Sequence, residues 1–305
     1  MINYIVKTNN VSKKYKNNFV LKDVNINIKK GDIYGLIGKN GAGKTTLMRI
    51  LSGLISESGG SVELFGEDKG KIKNRKRMGM LIESPAFFED MDAFKNLEFL
   101  RIYKGLPGRK NVEEKLKLVG LENVEGKPIK DYSLGMKQKL GLAIALLSDP
   151  ELLILDEPTN GLDPVGIVKM RELLKKLNKE RGTTILISSH ILSELSQLST
   201  TFGIMNRGKV IEELSLEELR EKSKMTLQIQ VDNIEKCTWV LENILHIDDY
   251  KVLNDNNVLI YERLNEASVI TKELTKKDVL ISQMVTKGES LEEYVLNVME
   301  GDYND

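Results

Sequence analysis

Cysteine is almost absent from this chain. Cys237 is the single one in 305 residues, so no internal disulfide can form and a reducing compartment is expected. No motif surrounds Cys237, which reads as a small core hydrophobe rather than a nucleophile. Long hydrophobic runs are missing too. Nothing approaches the roughly 20 consecutive apolar residues of a membrane span, and the richest stretch, Leu140 to Leu155, is broken by Ser148, Asp149, Pro150 and Glu151. The opening Met1-Ile2-Asn3-Tyr4 lacks the basic start and apolar run of a signal peptide. The expectation is a protein soluble by itself, with any membrane role borrowed from a partner. Net charge is lacking as well, with 45 Lys plus Arg against 45 Asp plus Glu.

That zero hides an asymmetry. From residue 225 onward there are 16 acidic and 7 basic side chains, leaving 29 acidic and 38 basic to the first 224 residues. A basic body suits a polyphosphate ligand, and an acidic tail argues against that tail gripping nucleic acid. Plain solvated surfaces would have the same balance. No nucleic-acid partner is expected. The length admits one large domain and a smaller one, and 41% apolar residues supply a substantial core. There is no internal repeat and no low-complexity tract.

The opening reads as strands: Ile2 to Lys7, a turn at Asn9-Asn10, Lys13-Lys14-Tyr15, then strict alternation from Val24 to Ile28. After the turn Lys30-Gly31-Asp32, Ile33 to Ile37 is a short apolar run, as expected of a strand buried on both faces. A glycine-rich loop and a helical pattern, Thr45 to Leu51, follow. From about Ser84 to Pro150 helical spacing dominates, with Phe94, Leu97, Leu100 and Ile102 in one stretch and Val112, Leu116 and Val119 in another. Strands return at Leu152–Leu155 and Thr184–Ile187 around an amphipathic helix, Val165 to Leu177, a unit that favours a parallel sheet covered by helices. Glu212 to Lys224 is expected to be a charged helix and linker. The last 80 residues read strand (Thr226 to Val231), helix (Ile234 to Leu245), two strands around Asn254–Asn257, helix (Glu266 to Leu274), strand (Val279 to Val285) and a closing helix (Leu291 to Met299). Their core resembles a split βαββαβ sandwich.

Gly38-Lys39-Asn40-Gly41-Ala42-Gly43-Lys44-Thr45 fits G-x-x-x-x-G-K-[ST], the P-loop pattern. Its glycines permit close backbone approach, so that successive N–H groups and the positive end of the next helix can hold phosphate. Lys44 is expected to reach the β- and γ-phosphates, and the Thr45 hydroxyl to bind Mg²⁺. Thr46 adds a further phosphate hydrogen bond. A glycine-rich turn containing Lys-Thr by chance would lack the strand before it and the helix after it.

Leu152-Leu153-Ile154-Leu155-Asp156-Glu157 is a buried strand ending in two carboxylates. In an open α/β sheet that end lies beside the P-loop, so Asp156 is placed to support Mg²⁺ and Glu157 to orient or deprotonate the attacking water. Adjacent acids after a strand are more often a solvated edge, but the P-loop favours catalysis. His190 ends the next apolar strand and is expected to contact the γ-phosphate. His246 has no comparable setting.

These residues resemble the ATP-binding subunits of ABC transporters from about residue 2 to 215. Beside the P-loop, Tyr-Ser-Leu-Gly-Met-Lys-Gln at 132–138 resembles the ABC signature, Leu153–Glu157 the Walker B strand, Gly161-Leu162-Asp163 the D-loop, and His190 the switch histidine. Tyr15 falls where that family stacks an aromatic ring on adenine. The resemblance implies an α/β fold: a P-loop ABC ATPase domain over 1–220, with a mixed-sheet core and a helical subdomain at about 84–150. A small α+β accessory domain, ferredoxin-like, would cover 225–305. It also implies ATP and Mg²⁺ as ligands, and head-to-tail pairing, as a homodimer or with a second ATPase subunit. In that pair Ser133 and Gly135 would bind the γ-phosphate held by the partner's P-loop.

Three positions depart from the family pattern. Leu134 stands for the glycine usual at the third position of the signature and Met136 for the glutamine usual at its fifth, so the phosphate contacts are expected to survive with altered packing. Glu83 replaces a glutamine that approaches the metal and couples to the membrane subunit, and is counted with Thr45 and Asp156 in the metal site. Its charge beside triphosphate is tolerable chiefly if Mg²⁺ offsets it. Together with Ser-Leu-Gly-Met-Lys-Gln, it resembles the bacitracin and lantibiotic self-immunity exporters. A neutral substitution in another exporter is the plainer alternative. Phe87, Phe88 and Phe94 fall where the family receives a coupling helix, and core packing accounts for them equally well.

The expected function is ATP-driven export through a separate multispanning membrane subunit, the chain itself being cytoplasmic and peripheral on the inner face of the membrane. A different class is a soluble regulatory ABC ATPase acting on ribosomes or in a cofactor-assembly complex. Translation-type members usually carry two P-loops where this chain has one, and the long coiled coils of DNA-repair relatives would need a sustained heptad run that is absent from this sequence. An inactive binding module conflicts with the intact Lys44, Asp156, Glu157 and His190.

Overall fold

The computed structural model describes residues 3–68, 72–83, 86–124, 126–223, 225–288 and 290–301. Met1, Ile2, Ser84, Pro85 and Lys224, which figure in the expectations above, lie outside the described residues. The chain divides into two compact units, Met1–Leu216 and Glu217–Asp305.

The first unit opens with β1 (Tyr4–Tyr15), β2 (Asn18–Val24), β3 (Asn27–Lys29), β4 (Ile33–Ile37), α1 (Lys44–Leu51), β5 (Gly59–Leu64) and β6 (Glu67–Asp68). It continues through α2 (Ile72–Lys76), β7 (Met78–Leu81), α3 (Ala93–Tyr103), α4 (Lys110–Leu118) and α5 (Leu134–Leu146). It closes with β8 (Leu152–Asp156), α6 (Pro164–Arg181), β9 (Thr184–Ser189), α7 (Leu192–Ser196), β10 (Thr201–Asn206) and β11 (Lys209–Ser215). These strands form two sheets. The smaller is antiparallel, in the order β2-β1-β5-β6 with β3 on β1, and the central one runs β11-β10-β4-β9-β8-β7. In the central sheet only the β11 pairing is antiparallel. Between the two sheets lies a core that includes Val6, Val24, Ile26, Ile28, Leu36 and Leu47, all fully buried.

The early strands differ from expectation. Asn9-Asn10 is no turn: β1 runs through it, with Asn10 at φ 49° and shifts of register on both sides. Flanking residues pair on either side, so the asparagine pair is absorbed as an irregularity within one strand. The alternation from Val24 to Ile28 does bury Val24, Ile26 and Ile28, yet it spans two strands. Buried Thr8 bridges the break, its hydroxyl donating to Val24 O at 3.0 Å and accepting from Ile26 N at 2.8 Å.

The helical stretch between β7 and β8 holds α3, α4, a short 3-10 turn at Ile129–Asp131, and α5. Asp92 caps α3 by accepting from Lys95 N at 2.8 Å. Val112, Leu116 and Val119 are buried, as is Leu97, whereas Ile102 is exposed because it is out of phase with Leu97 on the helix. On α6, Pro164 occupies the first turn, Asp163 caps it, and Gly182 ends it at φ 65°. Met170, Leu174 and Leu177 form its buried stripe.

The segment from Glu212 also departs from expectation. Residues to Ser215 complete β11, and helix α8 (Leu216–Lys222) starts only afterwards. Antiparallel pairing with β10 sets the period and puts the exposed Glu213 opposite Gly203. It accepts from the Tyr34 hydroxyl at 2.8 Å and from Asn27 N at 3.2 Å.

The second unit follows with β12 (Thr226–Val231), α9 (Ile234–Asn243), β13 (Tyr250–Val252), β14 (Asn257–Ile260), α10 (Ala267–Thr275), β15 (Ile281–Lys287) and α11 (Leu291–Glu300). Its sheet is antiparallel throughout in the order β13-β14-β12-β15, the strand order of a split βαββαβ sandwich. Cys237 sits fully buried in this core, and burial pushes its thiol up to about 11, which leaves it unreactive. Among the described residues no helix is long and apolar enough to cross a membrane.

Glu213 gives a pH signature to the first unit. Burial raises its carboxyl above the usual 4.5, despite opposing hydrogen bonds from Tyr34 and Asn27. Above 4.5 the folded chain therefore holds a proton that the unfolded chain has lost, and stability falls as pH rises through the raised value. Glu213→Gln keeps an acceptor for Tyr34 and removes that loss. Its melting temperature relative to the parent is expected to climb across this window and level off above it, as read by calorimetry at a series of pH values. A constant difference would disprove the assignment.

Candidate functional site

Strand β4 is buried at every residue and delivers the chain into Gly38–Gly43. Lys39, Asn40 and Gly41 are exposed while Ala42 is buried against the core. Gly43 has φ 109°, and a Cβ there would come within 2.7 Å of Leu21 Cδ2 and 2.9 Å of Met205 Cε. Only glycine lets the chain turn into α1 along this path. The helix then starts at Lys44 with no side-chain cap and no acidic residue in its first turn. Its first amides and its positive end are thus available to an anion. Lys44, at 5% exposure, donates from Nζ to Gly38 O at 2.7 Å and Lys39 O at 3.4 Å, and lies 3.3 Å from Glu157 Oε1. Thr46 is half-buried one residue beyond Thr45.

Parallel pairing brings the other half of the site level with this loop. Ile37 is in register with Ser189, and Ser188 with Asp156, so β4, β9 and β8 finish at one edge. Thr45 Oγ1 donates to Asp156 Oδ2 at 2.6 Å. Ser188 Oγ donates to the other oxygen, Asp156 Oδ1, at 2.6 Å and accepts from Glu157 N at 3.0 Å. The backbone turns sharply after β8, with Glu157 at φ 46°. Asn160 Nδ2 donates to Glu157 Oε2 at 2.7 Å, and His190 Nδ1 lies 3.1 Å from the same oxygen. Burial pushes the Glu157 carboxyl up, but the Asn160 amide, Lys44 and His190 outweigh it and hold it below the usual carboxylate range. The group is therefore ionised at neutral pH and suited to accept a hydrogen bond from water.

Magnesium fits the donors present. Thr45 and Asp156 offer a hydroxyl and a carboxylate, hard oxygen ligands already side by side. Among the described residues no cluster of three or more His, Cys, Asp or Glu could hold a metal ion alone. That is the expected donor set for Mg²⁺, which takes one or two carboxylates and completes its shell with water and substrate phosphate.

The remaining expected residues lie apart from this edge or meet other partners. Tyr15 is exposed at the end of β1, with Lys13 Nζ 5.0 Å from its ring centre. Glu83 follows β7 at φ 60°, and its carboxylate is bound by the Arg49 guanidinium from the last turn of α1. An arginine of the chain itself thus offsets the charge for which Mg²⁺ was the expected counterweight. Ser133 caps α5, its hydroxyl accepting from Met136 N at 3.3 Å, and Gly135 lies in the first turn. Asp163 accepts from Gly166 N at 2.8 Å as the cap of α6.

Three contributors escaped sequence reasoning: Ser188, Asn160 and Arg49. Ser188 stood in the run before His190, but only strand register reveals that it faces Asp156. Asn160 lies three residues after Glu157, a spacing whose meaning depends on the tight turn between them. Arg49 carried no signal beyond its charge near the end of a predicted helix.

The family model described as ABC transporter matches residues 21–160. The uncharacterised ABC transporter ATP-binding protein YcbN of Bacillus subtilis (strain 168) is 41% identical over 98% of this chain and 98% of its own. The bacitracin transport ATP-binding protein BcrA of Bacillus licheniformis is 40% identical over 97% of this chain and 98% of its own. Among solved structures, the dimeric post-hydrolysis state of the ATP-binding cassette MJ0796 bound to ADP and Pi is similar, with a TM-score of 0.64 and 29% identity. It covers 69% of this chain and 98% of that one.

Ser188→Ala removes the donor that orients Asp156 and the acceptor of the Glu157 amide. The Mg²⁺ concentration for half-maximal ATP hydrolysis is expected to rise about 10- to 100-fold, with ATP binding in EDTA little changed. An unaltered Mg²⁺ titration would show that Ser188 merely packs.

Proposed function

The chain belongs to the ABC transporter family as an ATP-binding subunit and hydrolyses ATP, and we propose that it works as one half of a head-to-tail pair driving export through a separate multispanning membrane subunit. The observation that carries this reading is the Glu157 carboxylate, 3.3 Å from Lys44 on one side and 3.1 Å from His190 on the other, beside the Thr45–Asp156 pair. In the proposed mechanism the amides from Lys39 to Lys44 and the Lys44 ammonium hold the β- and γ-phosphates, with Thr46 adding a hydrogen bond. Thr45 and Asp156 would hold the metal, and Glu83, already paired with Arg49, would reach it only by leaving that arginine. Mg²⁺ bound there neutralises charge on the phosphate oxygens. Glu157 aligns water for attack and takes its proton, and His190 contacts the γ-phosphate. Tyr15 stacks on adenine.

One P-loop and one signature per chain leave a site half built, which supports pairing with a second copy or a related ATPase subunit. Ser133 and Gly135 would close the partner's site at the N-terminus of α5, another anion-binding helix end. The Ser133 hydroxyl accepts from Met136 N, so its own hydrogen is free to donate to phosphate. Asp163, capping α6, fixes the D-loop between the two sites. ATP then acts as an adhesive between the copies, and hydrolysis loosens it.

The surface of α3 supports a membrane partner. Phe99, Ile102 and Tyr103 recur on one helical face and are exposed, and Phe88 packs edge-on against Phe99 at 4.8 Å between ring centres. Exposed aromatic clusters of this kind mark interaction sites. The partner would bring the membrane span that the described helices lack, and the chain would sit on the cytoplasmic face. The likeness to a bacitracin transport subunit along nearly the whole length favours a peptide antibiotic or similar amphiphile as cargo.

Glu157→Gln is expected to slow turnover about 10²- to 10⁴-fold, leave ATP binding intact, and trap a pair visible by solution scattering. Undiminished hydrolysis would remove Glu157 from the mechanism. Phe99→Asp is expected to abolish co-purification with a multispanning protein while sparing basal hydrolysis. Co-sedimentation of the parent with ribosomes, without such a protein, would replace export by the regulatory reading.

A further inference from the structure

Leu134 occupies the first turn of α5 and is 56% exposed, a large apolar side chain where the motif normally has glycine. It lies over the D-loop. A Cβ added to Gly161 would come within 2.1 Å of Leu134 Cδ2 and 2.8 Å of its Cγ, but 3.7 Å from its Cβ. The isobutyl group therefore rests on the bare Cα of Gly161. The contact is reciprocated one residue along each segment: a Cβ on Gly135 would stand 3.2 Å from Leu162 Cδ2. Leucine over glycine in one direction meets leucine over glycine in the other.

What this interlock connects gives it consequence. On one side are Ser133 and Gly135, the proposed phosphate contacts to a partner copy. On the other is the turn from Glu157 to Asp163, held by Asn160 on Glu157 Oε2 and by Leu162 N on Thr159 O at 3.1 Å. Asp163 anchors its far end to α6. We propose that Leu134 is a positioning residue: seated on Gly161, it locks the start of α5 to the turn carrying Glu157, so that the signature and the hydrolytic carboxylate are placed as one body. The proposal rests on the reading of Ser133 and Gly135 as contacts made across a pair.

The distances make a sharp test. In a Leu134→Ala background the atoms at 2.1 and 2.8 Å are gone, and the remaining contact at 3.7 Å is ordinary. Gly161→Ala carries the same backbone strain in both backgrounds, since φ there is 77°. Melting temperatures of the parent, the two single variants and the double variant form a cycle in which that strain cancels. Gly161→Ala is expected to lower the melting temperature by about 2–6 °C less when Leu134 is Ala. Equal losses would overturn the interlock.

A second measurement covers the case in which Gly161→Ala does not fold. In the Glu157→Gln chain, Leu134→Ala is expected to raise the ATP concentration needed for pairing about tenfold, near 1.4 kcal/mol, and Leu134→Met, which keeps an apolar chain of similar size, to restore it. Unchanged pairing in Leu134→Ala would overturn the positioning role. If Glu157→Gln itself never pairs, the reading of the composite site falls, and the melting cycle still decides the interlock.

Discussion

Everything at this site depends on parallel strands ending at the same level. Ile37, Ser189 and Asp156 reach one edge because β4, β9 and β8 run in the same direction with register pairs Ile37–Ser189 and Ser188–Asp156. Thr45 and Asp156 are 111 residues apart in sequence, yet their side chains meet at 2.6 Å. A one-residue slip of β8 against β9 would turn Asp156 to the opposite face and separate it from Ser188. Continuous burial of Leu152–Leu155 and of β9 on both faces resists that slip.

The charges at this edge are arranged to be mutually dependent. Lys44 is nearly buried, and an ammonium so placed requires oxygen partners. It finds the carbonyls of Gly38 and Lys39 and the carboxylate of Glu157. On the proposed reading, a phosphate oxygen reaching Lys44 would displace one of these partners, which would link anion binding to the freedom of Glu157 through a single ammonium. The lowered proton affinity of Glu157 has the same origin. Its Asn160, Lys44 and His190 contacts all favour the charged form and outweigh burial.

Legibility in the sequence followed the range of the interactions. The P-loop was plain, since strand, glycines and helix start are contiguous in the sequence. The placement of Asp156 and Glu157 beside the loop was plain as well, because two acids ending a buried strand next to the P-loop strand lie at the same edge, where they meet Thr45 and Lys44. Ser188 was hidden by its dependence on register across the sheet, and Arg49 by its dependence on the fold bringing the end of α1 to Glu83. The fold was misread where long-range pairing overrode local pattern. Asn9-Asn10 looks like a turn, but pairing on both sides keeps β1 continuous. Glu212 to Ser215 looks like the start of a charged helix, and β10 holds it as a strand.

Two of the departures from the family pattern have a common physical form. Glu83 adds a negative charge near a site for triphosphate, and Arg49 from α1 binds it. Leu134 adds bulk where glycine is usual, and Gly161 supplies the space beneath it. Neither substitution stands alone: each meets a residue whose charge or size answers it, Arg49 in the last turn of α1 and Gly161 in the turn after β8. A pair that is matched locally can alter how the loops move together without altering the groups that touch phosphate. That is the kind of change a family can accept while keeping Lys44, Thr45, Asp156 and Glu157 in place, because consistency between local contacts and the global fold is preserved. On the proposed reading the chemistry would sit at the strand ends and the coupling in the loops around them, and the seat of Leu134 on Gly161 is where the two are joined.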